Sequence, residues 1–120
     1  MSGSVLVVDD DPAFRRMARS LLAGFGLAVA GEAGTAAAAL AAAGALRPDA
    51  VLVDVRLPDR DGVALARELV ALPWHPRVVL TSSNADAATG REVKASGAEA
   101  FVPKVQLPNA ALRELLGGGS

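Results

Sequence analysis

The residues of this chain best suited to chemistry are three carboxylates, a hydroxyl and an amine: Asp9, Asp10, Asp54, Thr81 and Lys104. Each stands at the end of a short apolar run. Ser4-Val-Leu-Val-Val8 leads into Asp9-Asp10-Asp11, Val51-Leu-Val53 into Asp54, Arg77-Val-Val-Leu80 into Thr81, and Glu99-Ala-Phe-Val102 into Pro103-Lys104. If these runs are parallel strands, all five groups gather on one rim, where open α/β sheets bind their ligands. Three carboxylates brought together repel, and at least one would stay protonated without compensation. A divalent cation removes that difficulty. Oxygen ligands, with no cysteine in the chain and no histidine nearby, select a hard ion such as Mg²⁺. Mg²⁺ keeps waters and bridges to phosphate. Lys104 adds a point charge suited to phosphate, and Thr81 adds a donor. The set fits phosphoryl transfer, where catalysis is mostly positioning and charge neutralisation. Asp54 fits as the nucleophile, because carboxylates form acyl phosphates.

Five strand–helix units must position these groups. The first strand, Ser4–Val8, is followed by a helix opened by Pro12 and capped by Asp11, with Phe14, Met17, Ala18, Leu21 and Leu22 on one face. Gly24 and Gly26 close it. Residues 27–30 form a short second strand. Thr35 caps an Ala-rich helix over 36–43, which Gly44 ends and which reads as packing filler. The central strand spans Ala50–Asp54. Pro58 and Asp61-Gly62 then mark a turn before a helix over 62–71. Pro73-Trp74-His75-Pro76 is a stiff loop, with His75 exposed and away from the rim and Trp74 at a core edge. After the fourth strand (77–80) the spacing predicts a weak helix over 85–96, interrupted by Gly90, whose helical cost is about 1 kcal/mol against Ala. The fifth strand covers 99–102 and the last helix 107–116. Strand–helix alternation of this kind predicts an α/β fold with a parallel sheet and helices on both faces.

The chain has 120 residues, enough for one domain. The expected division is a domain over 1–116 and a flexible Gly/Ser tail or linker over 117–120. Only three Phe and one Trp are present, so the core must be built from Val, Leu and Ala. Twelve basic and thirteen acidic residues leave a formal charge of −1, which gives no electrostatic case for nucleic acid or an anionic membrane as partner. The absence of cysteine excludes disulfides, thiolate metal sites and thiol nucleophiles. The N-terminus lacks the basic region of a signal peptide. The longest uncharged apolar stretch, 36–46, is shorter than the roughly 20 residues a bilayer span needs. A cytoplasmic location is expected.

These motifs together resemble the response-regulator receiver domains of bacterial two-component signalling. The likeness rests on Val-Val-Asp9-Asp10-Asp11-Pro, Leu-Val-Asp54-Val-Arg-Leu-Pro58 with Asp61-Gly62, Leu-Thr81-Ser-Ser, and Phe101-Val-Pro-Lys104, in the family's order and spacing. It implies a single-domain (βα)5 flavodoxin-like fold with strand order 2-1-3-4-5. It implies Asp54 as phosphoacceptor for a histidine kinase or phosphotransfer protein. Asp10 falls on the direct metal-binding acid and Asp9 on its neighbour, with the Arg56 backbone carbonyl completing a Mg²⁺ site. Thr81 and Lys104 fall on the hydroxyl and amine that hold the phosphoryl group, and Thr81 with Phe101 on the switch to an output face. That face is made by the fourth helix, fifth strand and fifth helix, where the family also admits homodimers and output partners.

Taken singly, the same residues have plainer readings. Lys104 would be a solvated cation and Phe101 a core aromatic. Thr81 would be a helix cap, and the Arg56 side chain would point to water. The chain also departs from many family members in having Val105 after Lys104, where a cis bond would cost about 2.5–4 kcal/mol, and in lacking a tyrosine hydroxyl at Phe101. Three other functions compete with this one. A Mg²⁺-dependent phosphohydrolase would want a second acid where Arg56 stands. A flavin module would want a phosphate-binding nest in place of the acidic first loop. A pseudo-receiver, acting without phosphorylation as an interaction module, would not need the acid, hydroxyl and lysine set.

Overall fold

A computed structural model describes residues 3–108 and 110–117. Five strands alternate with five helices: β1 (Ser4–Val8), α1 (Pro12–Gly24), β2 (Ala28–Ala33), α2 (Ala36–Leu46), β3 (Ala50–Asp54), α3 (Gly62–Val70), β4 (Arg77–Ser82), α4 (Gly90–Ser96), β5 (Ala100–Pro103) and α5 (Ala110–Gly117). The strands form one parallel sheet in the order β2-β1-β3-β4-β5. This is the expected flavodoxin-like topology.

The central strands read as unbroken apolar runs because both faces of the sheet are covered. Alternate residues serve opposite cores. Leu6, Val8, Val51, Val53, Val78 and Leu80 face α2 and α3, meeting Ala39, Ala43, Leu65, Ala66 and Leu69. Val5, Val7, Leu52 and Val79 face the α1 and α5 side, meeting Phe14, Ala18, Leu22, Leu112 and Leu116. Each leucine buried in this way contributes about 1.5–3 kcal/mol of hydrophobic stabilisation. No helix among the described residues is long and apolar enough to cross a membrane.

Several element limits differ from those expected. β2 runs on to Ala33, because pairing with β1 extends it through Gly31 and Glu32. α2 passes through Gly44 and ends at Arg47 in the left-handed region (φ 47°), since its buried Ala36, Ala39 and Ala43 face carries the helix past one glycine. α4 starts at Gly90 instead of 85. Thr89 caps it and exchanges hydrogen bonds with Glu92 in a capping box, so Gly90 is the first helical residue and not an interruption. Residues Lys104–Gln106 form a 3-10 turn, and the last helix begins at Ala110 instead of 107. The described residues contain no cis peptide bond, Lys104–Val105 included. Gly117 is the last residue of α5, and the rest of the expected tail, 118–120, lies outside the described residues. Trp74 is half-buried, donating from Nε1 to the Pro48 carbonyl at 2.8 Å under the Arg47 guanidinium. His75 is exposed.

Candidate functional site

Parallel register brings four strand ends to one edge. Val8 pairs with Val53, placing Asp9 beside the end of β3. Asp54 pairs with Thr81, and Thr81 with Val102. Lys104 follows β5 directly. One carboxylate oxygen from each of Asp9, Asp10 and Asp54 lies within 4.8 Å of the other two. The turn after β3 is built around Gly62. A Cβ there would stand 2.1 Å from the Asp54 carbonyl oxygen and 2.7 Å from Val55 Cα, so only glycine lets α3 start this close to the rim. Asp61 caps α3 through the Val63 N–H.

The cluster is graded in burial. Asp9 is fully buried, Asp54 nearly so, and Asp10 is exposed. Asp9 Oδ1 accepts from the Asp11 N–H at 2.9 Å, and Oδ2 lies 2.7 Å from Lys104 Nζ. That second contact is a buried ion pair, and the ammonium is the one cation beside Oδ2 among the described residues. Burial raises the Asp9 pKa above the ordinary 3.8, and the nearby Asp54 raises it further, outweighing Lys104 and the Asp11 N–H. Asp54 Oδ1 accepts from the Arg56 N–H at 2.9 Å, and Oδ2 lies 3.3 Å from Lys104 Nζ. Burial alone would lower the Lys104 pKa; the two carboxylates reverse this and hold it above 10.5.

Thr81 is fully buried, and its hydroxyl donates to the Val102 carbonyl at 2.7 Å. It is therefore beside Asp54 in register, with its proton engaged by β5. Phe101 is half-buried, packed on the α2–α3 side of the sheet and lining a cavity of about 420 Å³ with Val93, Lys94 and Ala98. The Arg56 side chain is exposed at the rim.

Three residues that the fold brings to the site were not expected there, Phe14 having read only as part of a helix face. Arg15 donates from Nη1 to the Asp9 carbonyl at 2.7 Å and from Nε to Glu32 at 3.0 Å, tying the acidic loop to β2. Asp59 accepts from the Ala36 and Ala37 N–H groups at 2.8 and 3.0 Å, anchoring the β3–α3 loop to the start of α2. The Phe14 ring lies 4.1 Å from Lys104 Nζ. Phe14 and Arg15 had one available signal, their place in the first turns of the helix after Asp9–Asp11.

Comparison with known proteins agrees with this geometry. The response regulator receiver domain family matches residues 5–116. The chain is a receiver domain of that family. Among its curated relatives, the protein-glutamate methylesterase/protein-glutamine glutaminase 3 of Hahella chejuensis is 36% identical over 88% of the chain, which spans only 31% of that protein. The chemotaxis protein CheY of Thermotoga maritima is 28% identical, with 96% of each chain covered. The signal receiver domain of NarL from Mycobacterium tuberculosis superposes with a TM-score of 0.81 at 32% identity, covering 95% of this receiver and 96% of that chain. Receiver domains interact with histidine kinases and output domains, and bind Mg²⁺ at an acidic pocket. The cluster here suits such an ion: its candidate ligands are all oxygen, and two of the three acids are buried.

Proposed function

We propose that this receiver is a phosphoacceptor switch, in which Asp54 takes a phosphoryl group from a histidine kinase or phosphotransfer protein. The observation that carries this reading is the convergence of Asp9, Asp10, Asp54 and Lys104 on one sheet edge. Asp9, Asp10, Asp54 and the Arg56 backbone carbonyl would hold Mg²⁺, which neutralises charge on the transferring group. Asp54 Oδ1 is held by the Arg56 N–H, which leaves Oδ2 beside Lys104 as the attacking oxygen. A new bond forms from this oxygen to phosphorus, and the bond from phosphorus to the donor breaks, its electron pair leaving with the donor. Lys104 contributes its charge to the phosphoryl oxygens. The product is an acyl phosphate.

The same step supports switching. The Thr81 hydroxyl can serve a phosphoryl oxygen only by leaving the Val102 carbonyl, which then needs another donor. Val102 adjoins Phe101, so the bond exchange bears directly on β5 and on the face made with α4 and α5. New charge at Asp54 thereby biases a packing equilibrium on that face, without a hydroxyl at Phe101. The partner there is an output protein or domain, or a second copy of the chain. The domain acts in the cytoplasm, and is not a turnover enzyme.

The test is intact mass after incubation with Mg²⁺ and acetyl phosphate. A single labile phosphate adduct is expected, absent in Asp54→Asn. No adduct from either acetyl phosphate or a kinase would make the domain a pseudo-receiver. Sustained turnover of phosphomonoesters would make it a hydrolase.

A further inference from the structure

Lys104 Nζ has three partners: Asp9 Oδ2 at 2.7 Å, Asp54 Oδ2 at 3.3 Å and the Phe14 ring, whose centroid is 4.1 Å away. Two of the three are carboxylates with a rival claim. A divalent cation at the acidic cluster draws on the same Asp9 and Asp54 oxygens, and repels the ammonium besides. A lysine held only by those acids would be released from the rim at the moment its charge is needed. The aromatic face is the one partner that a hard cation, bound through oxygen, does not take.

We propose that Phe14 is a positioning residue for phosphoryl transfer: its ring seats the Lys104 ammonium at the rim independently of the carboxylates, so that the amine stays in place when they turn to a metal. Ammonium over a ring face within about 6 Å of the centroid is attracted by the ring quadrupole, most strongly where water is excluded. Phe14 is 8% exposed, and Lys104 is itself part-buried. The ring is well placed to be rigid. It sits in the first turn of α1, behind the Asp11 cap and Pro12, and packs in the cluster that holds Val7, Leu52 and Leu107. Leu107 belongs to the same connection as Lys104, following its 3-10 turn. One cluster therefore fixes both the ring and the base of the segment that carries the amine. Leucine would keep an apolar side chain in this core, but only an aromatic presents a face to the cation.

This inference deepens the phosphoacceptor reading and rests on it, but the contact can be observed without phosphorylation. The chain has two lysines, Lys94 and Lys104, and Lys94 is exposed on α4. In protein labelled with ¹³C-lysine, the ring should shift the Lys104 Hε protons upfield of those of Lys94, and the displacement should persist when Mg²⁺ is added. In Phe14→Leu it should vanish, and phosphorylation by acetyl phosphate at saturating Mg²⁺ should slow by about three- to tenfold. Phe14→Tyr, which keeps the face, should regain the shift and most of the rate. Coincident Hε resonances for the two lysines in the unsubstituted protein would overturn the proposal, whatever the variants do. So would loss of the displacement on adding Mg²⁺, or an unchanged rate in Phe14→Leu. If the unsubstituted protein takes no phosphoryl group while the displacement is present, the phosphoacceptor reading fails and the ring contact survives as structure alone.

Discussion

Asp9 is a fully buried carboxylate beside a second carboxylate, Asp54, and its burial opposes the charged form. Its folded pKa lies above its ordinary value, so between the two the folded chain binds more protons than the unfolded chain. Its contribution to stability therefore falls as pH rises above 3.8. Asp9→Asn should stabilise the metal-free protein at neutral pH, with the gap over the unsubstituted protein narrowing on acidification; urea midpoints across pH would reveal it. Lys104 has the same sign in a higher pH window. Its raised pKa contributes stability that is full below 10.5 and is lost as pH climbs through the folded value. At Gly62, Ala would force the β3 end and α3 apart, because its Cβ would meet Asp54 and Val55 backbone. Overpacking of that kind costs about 1–3 kcal/mol, and the displaced turn should also slow adduct formation at Asp54. Asp54 and Lys104 were legible in the sequence because each follows an apolar run. Arg15, Asp59 and Phe14 were not, since their partners lie on other elements.

Among the elements, α4 is the weakest built. It has seven residues, and only Ser96 is fully buried. Its amides should exchange with solvent faster than those of the other described helices, and Thr89→Ala, which removes the capping box at a cost of about 1 kcal/mol, should speed them further. The weakness was expected from Gly90, but its physical cause is sparse burial: Gly90 opens the helix and does not break it. α2 shows the reverse error. Gly44 reads as a stop, yet burial of Ala39 and Ala43 against the sheet carries the helix to Leu46. The start of α2 depends on the distant Asp59 carboxylate as well as on Thr35. In Asp59→Ala, the Ala36 and Ala37 amides should exchange several-fold faster, a change that hydrogen-exchange NMR would resolve at those two residues.

For the molecule as a whole, the proposed metal binding would be linked to folding. A ligand that binds only the folded chain adds about 1.4 kcal/mol of stability for each tenfold excess over its dissociation constant. Mg²⁺ should raise the melting temperature in a concentration-dependent way, and Asp9→Asn or Asp54→Asn should weaken that response. A melting temperature indifferent to Mg²⁺ would argue that the three acids do not form its site. The face proposed for output also draws on several elements: Phe101 of β5 lines a cavity with Val93 and Lys94 of α4, and the Thr81–Val102 bond ties β5 to β4.

Alternating apolar runs and helical faces were enough to determine the class of fold, the number of units and which polar residues stand at the strand ends, because burial on both sides of a parallel sheet leaves its mark on neighbouring residues in the chain. Strand order rested on the family resemblance, and β2-β1-β3-β4-β5 is what the tertiary structure shows. Only the tertiary structure decided which acid is buried, where the Thr81 proton goes and what holds the Lys104 ammonium. Those outcomes depend on groups far apart in sequence meeting at one edge, where burial and charge are set by the assembled rim and by no single segment.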